Sequence, residues 1–147
     1  VNTLQVTFGP ASSTAVFAGL LASNGLPVSD LADLSASDCL VATIEGRVTG
    51  AVGLQIFGPH ALLRSLVVAN DQRGRGLGAQ LVERVESLAR ERCVEQLFLL
   101  TTTAEAFFAQ RGYASIDRQS APEPIRDTQE FSLLCPASSA FMRKDLR

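Results

Sequence analysis

The stretch Leu66-Val67-Val68-Ala69-Asn70-Asp71-Gln72-Arg73-Gly74-Arg75-Gly76-Leu77-Gly78 constrains the fold more than any other part of the chain. An apolar strand runs through a glycine-rich turn straight into a helix whose apolar stripe is Leu77, Leu81, Val82, Val85 and Leu88, with Arg84, Glu86, Arg90 and Glu91 mostly opposite. Backbone N–H groups at such a helix start have no internal partner and point, with the positive end of the helix dipole, at whatever sits there. A phosphate is the expected occupant. The glycines let a diphosphate approach the main chain, and Arg73 and Arg75 can add charge-assisted bonds from the rim. The plainer alternative is a glycine-rich turn between two solvated arginines.

Composition narrows what else the chain can be. Its 147 residues fit one domain, expected over 1–147, with a single core. Hydrophobic residues make up 46% and charged ones 19%, so there is enough apolar material to bury and neither disorder nor a repeat array is suggested. A formal net charge of −2 supplies no broad basic footprint for nucleic acid or an anionic membrane, so any anion site must be local. Cys39, Cys93 and Cys135 are widely spaced and His60 is the sole histidine, which points to neither a disulfide framework nor a metal site. The apolar run Ala15 to Ala22, broken by Gly19, is too short to span a bilayer. A reducing cytoplasm is the expected compartment.

Around the glycine-rich turn the pattern alternates between strand and helix. Leu4 to Thr7 reads as a strand, and Val16, Phe17, Leu20 and Leu21 as a helix that stops at Asn24-Gly25. After a weaker helical stretch, Asp30 to Leu34, come three strand candidates: Cys39 to Ile44, Val48 to Phe57 and Leu62 to Val68. Glu45-Gly46 and Gly58-Pro59-His60 punctuate them as turns, which predicts an antiparallel meander. Past the long helix, Leu97 to Leu100 is a short apolar strand and Ala104 to Arg111 a short helix ended by Gly112. Tyr113 to Ile116 and Ser139 to Met142 read as late strands around a proline-rich segment with a small helix within Pro124 to Leu134.

Residue types separate the kinds of glycine-rich phosphate loop. A P-loop fails because no Lys-Ser or Lys-Thr follows the glycines. A dinucleotide fingerprint is matched superficially by Gly74-Arg75-Gly76-Leu77-Gly78-Ala79, but it needs an acidic residue ending the next strand, and that strand ends in Thr101-Thr102. Arg73-Gly74-Arg75-Gly76-Leu77-Gly78 resembles instead the (Q/R)xxGx(G/A) pattern of the GCN5-related N-acetyltransferases, and the order of elements agrees over nearly the whole chain. Ala106-Phe107-Phe108-Ala109-Gln110-Arg111-Gly112-Tyr113 resembles that family's late helix and the glycine-aromatic pair after it.

The resemblance implies an α/β fold whose mixed, mostly antiparallel sheet splays between its fourth and fifth strands. Acetyl-CoA would lie in the gap as co-substrate, with no metal. Its pantetheine arm would run along Leu66, Val67 and Val68, its pyrophosphate would rest on Arg73 to Gly78, and Phe108 would line its thiol end. A main-chain N–H, assigned to Val67, would take the thioester oxygen. The family's late-helix tyrosine, which protonates the leaving thiolate, is Phe108 here, and its fourth-strand carboxylate is missing. Glu45 is the candidate base, against a plain solvated hairpin carboxylate.

The acceptor is expected to be a small amine. Arg64, a cation inside an apolar strand, needs an anionic partner, which is either a substrate oxyanion or a neighbouring carboxylate. Ser65, Thr102, Arg126 and Phe131 are the other candidate acceptor contacts, the last two in the insertion from Gln119 to Pro136. The segments Leu99 to Ala104 and Phe131 to Ser138 resemble an arsenic-resistance subgroup of the family, which implies an amino-acid-like organoarsenical or related toxic amino acid. A non-catalytic acyl-CoA sensor and a protein N-acetyltransferase remain open. So does a homodimer through the late strands.

Overall fold

The computed structural model of the protein describes residues 6–13, 15–25, 34–74, 76–128, 131 and 139–146. Seven strands form one sheet: β1 (Val6–Pro10), β2 (Cys39–Ile44), β3 (Arg47–Phe57), β4 (His60–Val68), β5 (Gln96–Thr101), β6 (Ala114–Ser115) and β7 (Ala140–Asp145). Their spatial order is β1-β2-β3-β4-β5-β7-β6, and every neighbouring pair is antiparallel except β4 with β5. Among the described residues four α-helices flank it: α1 (Ala15–Ser23), α2 (Leu77–Glu91), α3 (Glu105–Ala109) and α4 (Glu123–Arg126). The α/β class, the antiparallel meander and the mixed, mostly antiparallel sheet match the expectation from sequence, and the parallel pair is β4 with β5, joined through α2. The helical stretch expected from Asp30 falls on 30–33, outside the described residues.

Alternation along the strands divides the core between two sheet faces. On one face α2 lays Leu77, Leu81, Val82, Val85 and Ala89 against Val52, Leu54, Ala61, Leu63, Leu97 and Leu99. On the other, Phe17 and Leu21 of α1 pack with Cys39, Val41, Ala51 and Val67. Further along that second face, Ile125 of α4 joins Leu62, Phe98 and Phe141, with Phe131 packed against them. α2 approaches β3 so closely that a Cβ at Gly50 would stand 2.9 Å from Leu81 Cδ1 and 3.2 Å from the Val67 carbonyl oxygen.

One ionic group ties α2 to the far side of the sheet. Glu86 is buried and accepts hydrogen bonds from the Tyr113 hydroxyl (2.9 Å) and from Lys144 Nζ on β7 (2.9 and 3.1 Å). A buried carboxylate needs such partners, since leaving one unpaired costs far more than the pair contributes. Burial, reinforced by the Glu86 charge and by the hydrogen bond to it, pushes the Tyr113 phenol far above its ordinary value, so the hydroxyl stays protonated. Tyr113 is thus a core aromatic, edge-on to Phe108 at 5.4 Å between ring centroids.

Gly50→Ala is expected to destabilise the protein by about 1–3 kcal/mol through overpacking against Leu81, read as a lower denaturant midpoint with an unchanged slope.

Candidate active site

β4 and β5 run together for only three residues. His60, Ala61 and Leu62 pair with Gln96, Leu97 and Phe98, and beyond them β5 pairs only with β7, leaving the Arg64–Val68 half of β4 without a strand neighbour on that side among the described residues. The cause lies three residues past the last pair. Between Ala51 and Gly53 the β3–β4 register slips, so that β4 carries one residue more than β3, and Ser65 there has φ +60°. A bulge of this kind bends its strand and increases the local twist. A non-glycine residue in the left-handed region costs about 1–2 kcal/mol, so the rest of the sheet must hold it there.

The register fixes which backbone groups enter the gap. Ala69 N–H donates to the Thr49 carbonyl at 2.8 Å, and Val68 faces Gly50 while Val67 faces Ala51. In an antiparallel ladder, hydrogen-bonded and non-bonded pairs alternate. Val67 therefore turns its N–H and C=O toward β3, whereas Leu66 and Val68 turn theirs into the gap. The expected oxyanion donor, Val67, is committed within the sheet, and the gap-facing amides are those of its two neighbours. A period of two read off the sequence gives the alternation, but not its phase across a bulge.

At the end of β4 the chain makes a short helical turn, Asn70–Gln72, and enters α2 through Gly74 and Gly76, whose φ values are +81° and +77°. Among the described residues, chain neighbours apart, no atom lies within 4 Å of a Cβ built at either glycine, so no other described residue covers the turn. α2 starts with no side-chain cap on its first amides. Arg73 behaves differently from expectation: Nε donates to the Val68 carbonyl at 3.2 Å and another guanidinium nitrogen donates to the side-chain oxygen of Asn24. It fastens the turn to β4 and to the end of α1. Arg75 lies outside the described residues. Leu77 is buried under the turn, and the Cβ position of Gly78 is 3.5 Å from Phe107 Cζ and 3.8 Å from Val68 Cγ2.

The remaining expected residues are spread around this centre. Phe108 is buried against Phe107 and Tyr113, an apolar wall beside the gap. Arg64 is 2% exposed and donates to Gln55 Oε1 at 2.8 Å, on the face shared with α1 and α4. Thr102 is exposed at the end of β5, on a cleft of about 490 Å³ lined by Thr101, Thr103, Glu105, Ala106, Ala109 and Ala140. Arg126 is exposed on α4, and Phe131 packs edge-on to Phe141, 5.3 Å between centroids, with the Arg118 guanidinium over its ring.

Glu45 sits in the exposed β2–β3 hairpin turn with φ +50°, followed by Gly46 at +77°. Gly50 faces Val68, so Arg47 is three residues, about 10 Å, further along β3 than the end of the gap, and Glu45 is past it on the side away from β5. Its conformation answers to the two-residue hairpin, whose turn needs left-handed residues. Cys135 lies outside the described residues. The buried Cys39 thiol is pushed up to about 11, by desolvation first and by Asp38 second, and stays protonated at neutral pH. Among the described residues no three His, Cys, Asp or Glu side chains converge to hold a metal, and no helix is long and apolar enough to cross a membrane.

The sequence model of the "Acetyltransferase (GNAT) family" matches residues 18–113, which include the parted strands, the glycine turn and α3. The chain belongs to the GNAT family. An uncharacterized N-acetyltransferase of Chlorobaculum tepidum is 34% identical over 89 residues, 60% of this chain and 57% of that protein. An amino-acid acetyltransferase of Ralstonia nicotianae is 39% identical over 84 residues, 56% of this chain but only 19% of the relative. The chain thus spans little more than half of the first relative and a fifth of the second. Among solved structures, N-acetylglutamate synthase from Neisseria gonorrhoeae, complexed with coenzyme A and N-acetyl-glutamate, superposes with a TM-score of 0.82 at 20% identity, covering 100% of this chain and 36% of that one. A Mycobacterium tuberculosis protein solved with CoA gives 0.81 at 22% identity over 96% of this chain and 99% of that one. At such identities the likeness establishes the GNAT fold.

Replacing Ser65 tests the bulge. Ser65→Gly is expected to leave stability within about 0.5 kcal/mol, since glycine adopts positive φ without cost, whereas Ser65→Val should lose about 1–2 kcal/mol. Paired thermal and urea melts of the two variants distinguish a strained residue from an ordinary one.

Proposed function

We propose that this chain is an acetyl-CoA-dependent N-acetyltransferase that moves the acetyl group to the amine of a small, amino-acid-like molecule. The observation that carries it is the parting of β4 from β5 at the Ser65 bulge, with the glycine turn and uncapped start of α2 at the open end. Leu66 and the Val68 N–H offer backbone groups on the gap side, the Val68 carbonyl being held by Arg73 Nε, and a pantetheine arm with its two amides would satisfy them. The first amides of α2 would take the pyrophosphate, and Phe108 would shield the thiol end from water.

The chain's own groups then account for the chemistry. Leu66 N–H, turned into the gap beside the bulge, is the donor we assign to the thioester oxygen, where negative charge builds as the amine attacks. Acetyl donor and amine meet on opposite sides of one gap, and holding two reactants in register can contribute about 7–11 kcal/mol. Tyr113 keeps its proton and its bond to Glu86, so it is not the acid for the leaving thiolate. Glu45 is at most a distant base acting through water, and the amine is expected to enter neutral.

For the acceptor, Arg64 and Gln55 form a polar pair on the face between the α1 and α4 clusters, where Phe131 and Arg126 lie to one side. A guanidinium there suits a carboxylate on the acceptor. The amino-acid acetyltransferases among the relatives point to the same class. An amino-acid-like organoarsenical would fit this class too, on sequence resemblance alone.

The test is thiol release from acetyl-CoA with a panel of amino acids, their phosphinic and arsenical analogues, polyamines and peptides. Turnover on an amino-acid-like amine, abolished in Gly76→Glu, is the expected result, because the glutamate would force a left-handed carboxylate onto the anion site. Binding without turnover on any acceptor would make the chain an acyl-CoA sensor, and turnover on peptides alone a protein acetyltransferase.

The pH profile separates substrate from enzyme. The log of kcat/KM should rise with pH along a limb that follows the acceptor's own amine pKa, and should move when an acceptor of different pKa is used. A limb fixed across acceptors would mean a protein base. Tyr113→Phe is expected to leave this profile in place while lowering stability by about 1 kcal/mol.

A further inference from the structure

A cation held close to the start of α2 comes from a segment that the glycine motif does not contain. Arg111 follows α3, and its guanidinium carbon lies 3.8 Å from the centroid of the Phe107 ring, with Nη1 donating to the Phe107 carbonyl at 2.7 Å. The edge of the same ring meets the first turn of α2 at Gly78 and lies beside Val68, the last residue of β4. A half-buried guanidinium is therefore clamped at the mouth of the gap, one aromatic ring away from the helix start.

Electrostatically this is a poor place for a positive charge. The start of a helix repels cations, and α2 has no acidic residue in its first turn to offset the effect. Among the described residues no carboxylate comes within ion-pair distance of Arg111, and Arg73, one of the two cations expected here, is engaged with Val68 and Asn24. An anion with more charge than the α2 amides alone can neutralise resolves the conflict. Coenzyme A carries one beyond its pyrophosphate, the 3′-phosphate on the adenosine ribose, joined to a flat base that can lie against a guanidinium or an aromatic ring.

We infer that Arg111, held over Phe107, binds the ribose 3′-phosphate of CoA and orients its adenosine end. The inference rests on the CoA-binding reading of the gap. It assigns a cofactor contact that the glycine turn does not supply, and it makes the 3′-phosphate a determinant of affinity.

Titration calorimetry with CoA and with dephospho-CoA, which differs only in lacking that phosphate, tests it on the unaltered chain and on Arg111→Met and Arg111→Lys. The unaltered chain should bind CoA about tenfold more tightly than dephospho-CoA, the size expected for a hydrogen bond between charged groups. Arg111→Met should lose that preference, weakening CoA far more than dephospho-CoA, and Arg111→Lys should keep part of it. Equal affinity of the unaltered chain for both ligands would overturn the inference and leave the CoA site standing. So would an equal loss for both ligands in Arg111→Met, the mark of a residue that only props Phe107. Binding of neither ligand by the unaltered chain would overturn the CoA reading itself, and the inference with it.

Discussion

A backbone amide that loses its sheet partner must find another or pay a desolvation penalty of about 1–3 kcal/mol. The second half of β4 carries such groups on the side facing β5, at Leu66 and at the Val68 N–H, the Val68 carbonyl having found Arg73, because Ser65 adds one residue to the strand after its last pairing with β5. Everything that defines the site follows from this arrangement. The parted strands make a slot whose walls are main chain, the unpaired groups make it selective for a molecule with amides of its own, and the glycine turn at its open end sets an anion site in line with it. A side-chain pocket could be tuned residue by residue; this one is set by the strand path.

The rest of the fold holds that path in place. α2 is seated on one face by five apolar side chains and by the close approach that Gly50 permits, and its polar anchor, Glu86, reaches Tyr113 and Lys144 beyond β5. Arg73 pins the turn to β4 and α1 from the opposite side. An exposed pair, Arg47 with Asp71 at 2.6 Å, links the β2–β3 hairpin to the same turn, although exposed pairs of this kind contribute little to stability. The helix start is thus fixed from both sheet faces while the space above its glycines stays open.

Much of this was legible in the sequence, and what was not has a common cause. The apolar run Cys39 to Ile44 reflects burial on both sheet faces and the stripe of α2 burial on one, which the residue pattern records directly. The glycines at 74 and 76 announce positive φ, since little else adopts it freely. Ser65 gives no such sign, because a serine in an apolar run reads as an ordinary strand residue, and the phase of Leu66, Val67 and Val68 was lost with it. Arg73 was read as a phosphate ligand from its neighbours in sequence, whereas its partner Asn24 is 49 positions away. Arg111 escaped for the same reason: its relation to the glycine turn passes through Phe107 and exists only once α3 is folded against α2. Glu45 was drawn toward chemistry by its type, while its conformation answers to the hairpin.

The bulge also bears on how the length of the chain is constrained. Leu63 packs with α2 and Arg64 points to the opposite face, then Leu66, Val67 and Val68 repeat the same alternation, so Ser65 is the one residue of this stretch outside the rhythm. A chain lacking position 65 would keep every other side chain of β4 on its present face, shed a left-handed residue and gain an unbroken ladder with β3. It would be the better sheet, and a straight β4 would have no reason to leave β5. In this strand a deletion improves the architecture and removes the slot, so the extra residue is retained against the preference of the sheet that contains it.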